Sequence, residues 1–240
     1  MKRLPVLVLL MMAINSAAWS HTRFGETLCK QSDYFCVKIK SGDTWGSLFP
    51  NSEEMDMVRR INRMNINLKP GMTLAIPKNL NRLSIYDVSP FPRYIDSVGE
   101  KTIYVSQSKL AWGAYDENGE LIWWGPISSG IGRCPGVYGG CSTPTGSFRI
   151  IRKQDIECVS TAFPMRAGGD NGGAEMPFCM HFFRGYALHG SDTVPGYRAS
   201  HGCVRMFTED ARWLNEEFIN VPGEDSARGT RVVIDDPVSK

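Results

Sequence analysis

The residues best suited to chemistry in this sequence lie in one short window near its C-terminal end. The window and the pair that precedes it are Ser200-His201-Gly202-Cys203-Val204-Arg205 and His189-Gly190. Cys203 becomes a nucleophile only as a thiolate, and a nearby imidazole or guanidinium favours that form. Arg205 can hold a substrate carboxylate in a fork of parallel hydrogen bonds. The pattern therefore predicts a reactive thiol beside an anion-binding site.

Three neighbours of the thiol have roles that the sequence leaves more open. Gly202 lets the backbone approach a substrate closely, so the N–H groups of Gly202 and Cys203 are candidate donors to an oxyanion. Ser200 is a candidate substrate-binding residue, although serine in a turn often hydrogen-bonds locally. His201 is a candidate catalytic imidazole, which either tunes the thiolate, shapes the oxyanion site or packs. A zinc site of His189, His201 and Cys203 lacks the usual ligand spacing, so we predict no metal.

These motifs resemble the signature of the L,D-transpeptidase (YkuD-like) catalytic domain. The likeness continues outside the window, in the family's order, at residues 101–105, Ser128-Ser129-Gly130, 143–148 and 229–234. It spans about residues 100 to 236, so the resemblance implies a catalytic domain over residues 101–236. It also implies a β-rich fold of the YkuD type for that domain.

The resemblance implies acyl transfer through a thioester, without a cofactor. Cys203 would attack the carbonyl at the L-centre of the third residue in a tetrapeptide stem of peptidoglycan, and D-Ala would leave. His189 would be the general base, with its ring oriented by the backbone carbonyl of Gly190, and Arg205 would bind a substrate carboxylate. An amine would then take the acyl group, in a 3-3 crosslink or in the attachment of a protein. The thioester stores the energy of the peptide bond between the two steps.

Other functions stay open at this point. Water in place of the amine would give a hydrolase on the same scaffold, which trims or releases stems. A protein with a lapsed catalytic domain would only bind the wall, but it would have no reason to keep a free thiol at Cys203. Thiol–disulfide exchange usually needs a second cysteine close by, and the motif contains none.

Residues 35–78 are predicted to form a small β-α-α-β unit ahead of the catalytic domain. Asp43 is expected to cap a helix over 44–49, and Ser52 to cap a second helix, through a capping box with the residues that follow it, that reaches about Met64. The unit resembles a LysM domain, and the segments that carry the likeness are 41–45, 61–65 and 68–77. LysM domains bind glycans that contain N-acetylglucosamine, mostly peptidoglycan or chitin.

The LysM resemblance also implies a sugar groove in this unit. Its residues would be Gly42, Asp43, Thr44 and Trp45, with residues 67–68 on the opposite side. Trp45 is equally well explained as a core residue, because aromatic side chains pack as readily as they stack. The expected partner of the unit is the glycan strand of peptidoglycan.

The first 20 residues have the features of a signal peptide. Lys2 and Arg3 precede a short apolar run, and small residues surround the expected cleavage point after Ser20. We therefore predict export to the periplasm or cell wall, where disulfides persist. The spacing of the seven cysteines suggests three pairs, which are Cys29–Cys36, Cys134–Cys141 and Cys158–Cys179. Cys203 is then left free, although six cysteines allow 15 pairings.

The fold expected from these patterns is α+β. The small unit would be followed by a linker over residues 79–100 and by a β-rich sandwich or partial barrel. Short β-branched and aromatic runs between 103 and 124 predict strands, with a hairpin turn at 116–119. One late helix is expected over 209–218, capped by Thr208.

The composition is that of an ordinary folded protein. The chain has 240 residues, of which 42% are hydrophobic, so it has ample material for a core and no signature of disorder. Its net charge of +2 gives no reason to expect a nucleic-acid partner. No apolar stretch is long enough to suggest a protein embedded in a membrane, and a monomer is the expected state.

Overall fold

The computed structural model describes residues 21–134, 140–164, 172–223 and 227–237. Within these ranges the chain forms an N-terminal unit (residues 24–77) and a larger β-rich domain (residues 102–234). The signal peptide expected over residues 1–20 lies outside the described residues. None of the helices in the described ranges has the length and apolar character needed to cross a membrane.

The N-terminal unit is a strand pair covered by short helices. Its elements are α1 (Phe24–Leu28), β1 (Tyr34–Lys38), α2 (Trp45–Leu48), α3 (Ser52–Asn62) and β2 (Thr73–Pro77). β1 and β2 pair in antiparallel fashion. The helices bury an apolar core that includes Ile39, Phe49, Val58, Met64 and Leu74.

The helix caps in this unit differ slightly from the sequence prediction. Thr44 caps α2, because its hydroxyl accepts a hydrogen bond from the N–H of Ser47 at 3.1 Å. Asp43 accepts instead from the N–H of Lys40 at 2.7 Å. Asn51 caps α3, since its side-chain oxygen accepts from two backbone N–H groups of the first turn, at 2.9 and 3.0 Å. Thr44 lies one position after the predicted cap of its helix, and Asn51 lies one position before. Each satisfies backbone N–H groups that have no partner within the helix.

The end of α3 brings the unit onto the larger domain. Ser52, expected as the cap, is the first helical residue, and the helix ends at Asn62 rather than near Met64. The reason is that Arg63 adopts a left-handed conformation, with φ of 55°. The buried Arg63 guanidinium then lies over the ring of Trp124 at 4.8 Å.

A nine-stranded sheet forms the frame of the larger domain. The strands of this domain are β3 (Thr102–Ser106), β4 (Ala111–Tyr115), β5 (Leu121–Ser128), β6 (Gly146–Arg149), β7 (Arg152–Lys153), β8 (Val159–Pro164), β9 (Gly173–Glu175), β10 (Met180–Phe183), β11 (Tyr186–Gly190), β12 (Val204–Met206) and β13 (Arg231–Ile234). Their order in the sheet is β6-β13-β3-β4-β5-β12-β11-β10-β7, and β8 pairs with β9 in a separate hairpin. The pairs β3–β13 and β11–β12 are parallel. The β-rich architecture predicted for this domain is confirmed.

One helix packs on the sheet late in the chain. α4 (Thr208–Trp213) is followed directly by a π-helical turn over Leu214–Phe218. Together they cover the segment predicted as a single helix. The N-cap is Phe207 rather than Thr208, whose hydroxyl points instead toward Asp192 at 3.5 Å.

Residues 79–100 run along the larger domain. The N–H of Ile95 donates to the carbonyl of Gly119 at 2.9 Å, so the segment follows the turn between β4 and β5. The indole N–H of Trp124 donates to the carbonyl of Ile85 at 2.6 Å. These contacts place the segment against the sheet.

The three disulfides join the pairs that the spacing suggested. They are Cys29–Cys36, Cys134–Cys141 and Cys158–Cys179. Cys203 is the free cysteine. The first bond lies in the N-terminal unit, and the other two lie in the larger domain.

Candidate active site

The turn that carries the thiol requires glycine at one position. Gly202 has φ of 124°, a conformation in which other residues are strained. A Cβ at Gly202 would also lie 2.5 Å from Cε1 of Tyr186. A side chain at Gly202 would therefore strain the turn and force the Tyr186 ring or the backbone to shift.

Ser200 holds this turn together. Its hydroxyl donates a hydrogen bond to the carbonyl of Cys203 and accepts one from the N–H of Gly202 at 3.0 Å. These two bonds give Ser200 a local role, which is common for serine in turns, and Ser200 also lines the first of the cavities described below. The N–H of Gly202 is already bonded, so it is not the open oxyanion donor that the sequence suggested.

Two segments from elsewhere in the chain brace the same turn. The buried hydroxyl of Thr143 donates to the carbonyl of Gly202 and accepts from the N–H of Gly130, both at 2.8 Å. The carbonyl of Ser129 accepts from the N–H of Ser200 at 3.0 Å. The two middle motifs noted in the sequence therefore support the position of the thiol.

Cys203 is half-buried and chemically free. Its Sγ lies 3.9 Å from the carbonyl oxygen of Gly185. Burial raises the pKa of the thiol, while a hydrogen bond from the N–H of Ala187 and the charge of Arg205 act in the opposite direction. The net shift is upward, so the thiol is protonated at rest near neutral pH.

His189 lies on β11 and is 5% exposed. Its Nδ1 is 2.9 Å from the carbonyl oxygen of Gly190, the contact expected for an orienting carbonyl. A carbonyl can only accept, so we assign the proton to Nδ1 and the lone pair to Nε2. Burial lowers the pKa of His189 to about 4, partly opposed by this hydrogen bond. The neutral ring can accept a proton at Nε2.

Arg205 sits next to His189 across the parallel pair β11–β12. Its Nη1 donates to the carbonyl of Thr193 at 3.4 Å. None of the ion pairs found among the described residues involves Arg205. The guanidinium is therefore available to a carboxylate from a ligand.

His201 is exposed and stacks on Phe163 of β8, with ring centroids 4.9 Å apart. A ring nitrogen of His201 and the sulfur atoms of Cys134 and Cys141 lie within 4.8 Å of one another. The two sulfur atoms are joined in a disulfide, so they supply no thiolate to a metal ion. Of the roles left open for His201, this geometry favours packing against the β8–β9 hairpin.

Two neighbouring cavities meet at Cys203. The first has a volume of about 610 Å³, and its walls include His189, Met176, Thr193, Arg205 and Thr208. The second has a volume of about 530 Å³, and its walls include Arg152, Gln154, Glu157, His181 and Tyr186. Five residues line both, namely Ser160, Phe163, Met176, His201 and Cys203. A thiol at this junction is accessible from both cavities.

The residues predicted for a glycan groove lie around the start of α2. They are Gly42, Asp43, Thr44 and Trp45. Gly42 and Thr44 are exposed, whereas Trp45 is 5% exposed. The indole N–H of Trp45 donates to the carbonyl of Ile66 at 2.8 Å, and the guanidinium of Arg59 lies over its ring at 5.1 Å. Trp45 is therefore a core residue rather than an open stacking platform.

Three residues near the thiol were not assigned roles from the sequence. They are Thr143, Phe163 and Tyr186. The motif at 143–148 pointed to Thr143 without indicating what its hydroxyl does. Nothing in the local pattern indicated Phe163 or Tyr186, because each contacts the turn from a distant part of the chain.

A comparison with the sequence profiles of known families identifies the family of this chain. A profile of the YkuD family, described as the L,D-transpeptidase catalytic domain, matches residues 100–234, which is more than half of the chain. A comparison with curated proteins found no significant match.

Solved structures show the same likeness in fold. The L,D-transpeptidase from Xylanimonas cellulosilytica (residues 123–326) is 23% identical, with a TM-score of 0.50, over 75% of this chain and 77% of that one. The L,D-transpeptidase from Stackebrandtia nassauensis is 19% identical, with a TM-score of 0.44, over 62% of this chain and 61% of that one. The L,D-transpeptidase from Mycobacterium smegmatis is 17% identical, with a TM-score of 0.43, over 57% of this chain and 59% of that one. The first of these shows that the larger domain has the fold of that enzyme.

Proposed function

Because this chain belongs to the L,D-transpeptidase (YkuD) family, whose members are cysteine-based acyltransferases, we propose that it transfers acyl groups between peptidoglycan stem peptides. The donor is a tetrapeptide stem, D-Ala is the leaving group, and an amine is the acceptor. The observation that carries the proposal is the placement of Cys203, a free thiol at the junction of two cavities. His189, with an open Nε2, and Arg205, which forms no ion pair within the described part of the chain, line the first of them.

The first half of the reaction is acylation of the thiol. Both pKa shifts favour neutral groups at rest, a protonated Cys203 and a neutral His189. As Sγ attacks the donor carbonyl, its proton passes to Nε2 of His189, and the tetrahedral oxyanion turns toward the N–H of Cys203. The C–N bond to D-Ala then breaks, and the leaving amine takes the proton from His189. The hydrogen bond to Gly190 keeps the ring in the required tautomer throughout.

The second half regenerates the thiol. An amine attacks the thioester carbonyl, Sγ leaves, and His189 returns the system to its starting protonation. The second cavity gives the acceptor a route to the thioester that is separate from the donor side. Arg205, on the donor side, binds a carboxylate of the stem peptide and so fixes the register of the scissile bond.

The N-terminal unit contributes glycan binding in this proposal. Its strand–helix–helix–strand order supports a LysM assignment. The exposed backbone of Gly42 and side chain of Thr44, with residues 67–68 opposite, are the candidate contacts. Trp45 supports them from the core and does not itself stack on a sugar.

Export to the periplasm or cell wall completes the proposal. Three disulfides support an oxidising compartment. The same compartment contains peptidoglycan and lacks ATP, which suits a reaction that conserves peptide-bond energy in a thioester.

The test is incubation of the mature protein with a disaccharide-tetrapeptide, followed by mass spectrometry, with Cys203→Ala as the control. We expect a crosslinked dimer and free D-Ala, both absent with the variant. Tripeptide without dimer would establish the hydrolase instead. No product from either protein would reject enzymatic function and leave glycan binding as the activity.

A further inference from the structure

One wall of the first cavity is held from outside the larger domain. The loop that follows β11, residues 191–197, carries Ser191 and Thr193 on that wall. The loop contacts the N-terminal unit rather than relying on the sheet alone. Its position therefore depends on a part of the chain that precedes the larger domain.

Asn65, just beyond α3, makes the central contacts with this loop. Its side-chain Nδ2 donates to the carbonyl of Ser191 at 2.7 Å, and its Oδ1 accepts from the N–H of Val194 at 2.9 Å. Its own N–H donates to the carbonyl of Val194 at 3.0 Å. One planar amide thus satisfies a carbonyl and an N–H three residues apart, which fixes the curvature of the loop.

Neighbouring contacts hold the unit and the loop in register. Met64 forms a β-bridge with Pro195, and the N–H of Phe24 donates to the carbonyl of Gly196 at 2.8 Å. Asn65 is therefore part of a continuous seam and not an isolated surface contact.

The loop in turn touches the anion-binding residue. The carbonyl of Thr193, between the two positions that Asn65 holds, accepts from Nη1 of Arg205 at 3.4 Å. Arg205 has no carboxylate partner among the described ion pairs, so this carbonyl is a main constraint on where its guanidinium points. Movement of the loop would move or release Arg205.

We propose that Asn65 is a positioning residue for the active site, which fixes the 191–195 wall and, through the Thr193 carbonyl, the guanidinium of Arg205. The N-terminal unit is then a structural part of the donor site, in addition to any glycan it binds. The inference rests on the proposed function only in assigning a substrate carboxylate to Arg205.

The test uses the thiol itself as the probe, so it works whether or not the protein makes crosslinks. Cys203 is the free cysteine, and alkylation by iodoacetate or iodoacetamide forms an S–C bond with loss of iodide. The two reagents differ in the carboxylate, so the ratio of their rates reports an anion site beside the thiol. Arg205→Ala sets the ratio expected when that site is lost.

We expect Asn65→Ala to lower the iodoacetate-to-iodoacetamide rate ratio by about threefold to tenfold, toward that of Arg205→Ala. Faster hydrogen exchange at the Val194 amide should accompany it. Asn79→Ala, at an exposed asparagine just after the N-terminal unit and without a side-chain capping bond, should leave the ratio unchanged. Val58→Ala, in the core of the unit, should lower stability and also leave the ratio unchanged.

A wild-type ratio in Asn65→Ala would overturn the proposal. An equal fall in Val58→Ala would also overturn it, because the effect would then follow from lost stability. If Asn65→Ala does not fold, Asn65→Asp keeps the acceptor for Val194 and loses the donor to Ser191, with Asn79→Asp as the matched control for charge. If the wild-type protein makes no crosslinks but the ratio still falls in Asn65→Ala as expected, the result counts against the proposed function alone.

Discussion

Arg60 of α3 and Asp210 of α4 form a buried, two-point ion pair between the N-terminal unit and the larger domain. Nη1 lies 2.9 Å from Oδ2 and Nη2 lies 2.8 Å from Oδ1, with side chains that are 5% and 2% exposed. The indole N–H of Trp123 donates to Asp210 at 3.0 Å, and the carbonyl of Trp124 accepts from Arg60 at 3.1 Å. The pair is therefore well supported by hydrogen bonds. Removal of Arg60 would leave the buried Asp210 carboxylate without a counter-ion, whereas Arg60 would keep its contact with Asp56 at 2.7 Å.

Truncation of either partner should be costly. We expect Arg60→Ala to lower the free energy of unfolding by about 3 to 5 kcal/mol, and Asp210→Ala to lower it by less, because Arg60 keeps its pair with Asp56. The double variant should lose less than the sum, because it strands no charge. Urea denaturation measures all three. The control is Arg212→Ala, which removes an exposed ion pair with Glu216 and should leave the urea midpoint unchanged. Single variants that behave like this control would contradict the prediction.

The turn before the thiol offers a second test. Gly202→Ala should cost about 1 to 3 kcal/mol from backbone strain alone, and the contact with the Tyr186 ring adds to it. We expect kcat/KM to fall by at least about tenfold, because Cys203 must shift to relieve the contact. Gly46→Ala is the matched control, since nothing lies within 4 Å of a Cβ there and alanine favours a helix. Steady-state kinetics of both variants measure the change in kcat/KM, and thermal melts measure the change in stability. Normal turnover in Gly202→Ala would mean that the turn is not rigid.

Local spacing was enough to predict some of this molecule. The thiol window and the three disulfides involve residues close in sequence or motifs in a recognisable order. The β-rich domain followed from short apolar runs. Such features are visible because the chain itself keeps the residues near one another.

Long-range contacts were not predictable in the same way. Arg60 and Asp210 are 150 positions apart, and Asn65 and Ser191 are 126 apart. Neither periodicity nor a motif links such pairs, since folding alone brings them together. The assignment of Gly202 as an oxyanion donor failed for a local reason, because the Ser200 hydroxyl competes for its N–H.

Stability should depend on pH through His189. Its pKa is about 4 in the folded chain, against an ordinary value near 6.5. Between these values the unfolded chain binds a proton that the folded chain does not. The free energy of unfolding is therefore highest above pH 6.5 and falls as the pH is lowered toward 4. The shift corresponds to about 3 kcal/mol at most. His181, whose pKa burial and Arg152 also lower to about 4, acts in the same direction.

Urea denaturation at pH 7 and pH 4.5 measures this effect. We expect the loss of stability between the two pH values to be smaller in His189→Gln than in wild type. His181→Gln should give a similar reduction and serves as the comparison inside the same domain. Equal losses in wild type and both variants would show that neither ring is held neutral by burial.

The Cys158–Cys179 disulfide should control access to the thiol more than it controls folding. It joins the residue before β8 to the residue before β10, and β8 carries the Phe163 that stacks on His201. Without the bond, the β8–β9 hairpin can shift away from the junction of the two cavities.

A double variant, Cys158→Ser with Cys179→Ser, tests this. We expect a loss of about 3 kcal/mol in stability by loop entropy, and a broader choice of acceptor amines. The control is Cys29→Ser with Cys36→Ser, which opens a disulfide of the N-terminal unit and should cost about 2 to 3 kcal/mol without altering acceptor choice. The assay lets a stem peptide and a free D-amino acid compete as acceptors, at a temperature where both double variants are folded. The ratio of the two products, measured by mass spectrometry, reports acceptor choice separately from stability. The same acceptor ratio in both double variants would mean that the hairpin does not select the acceptor.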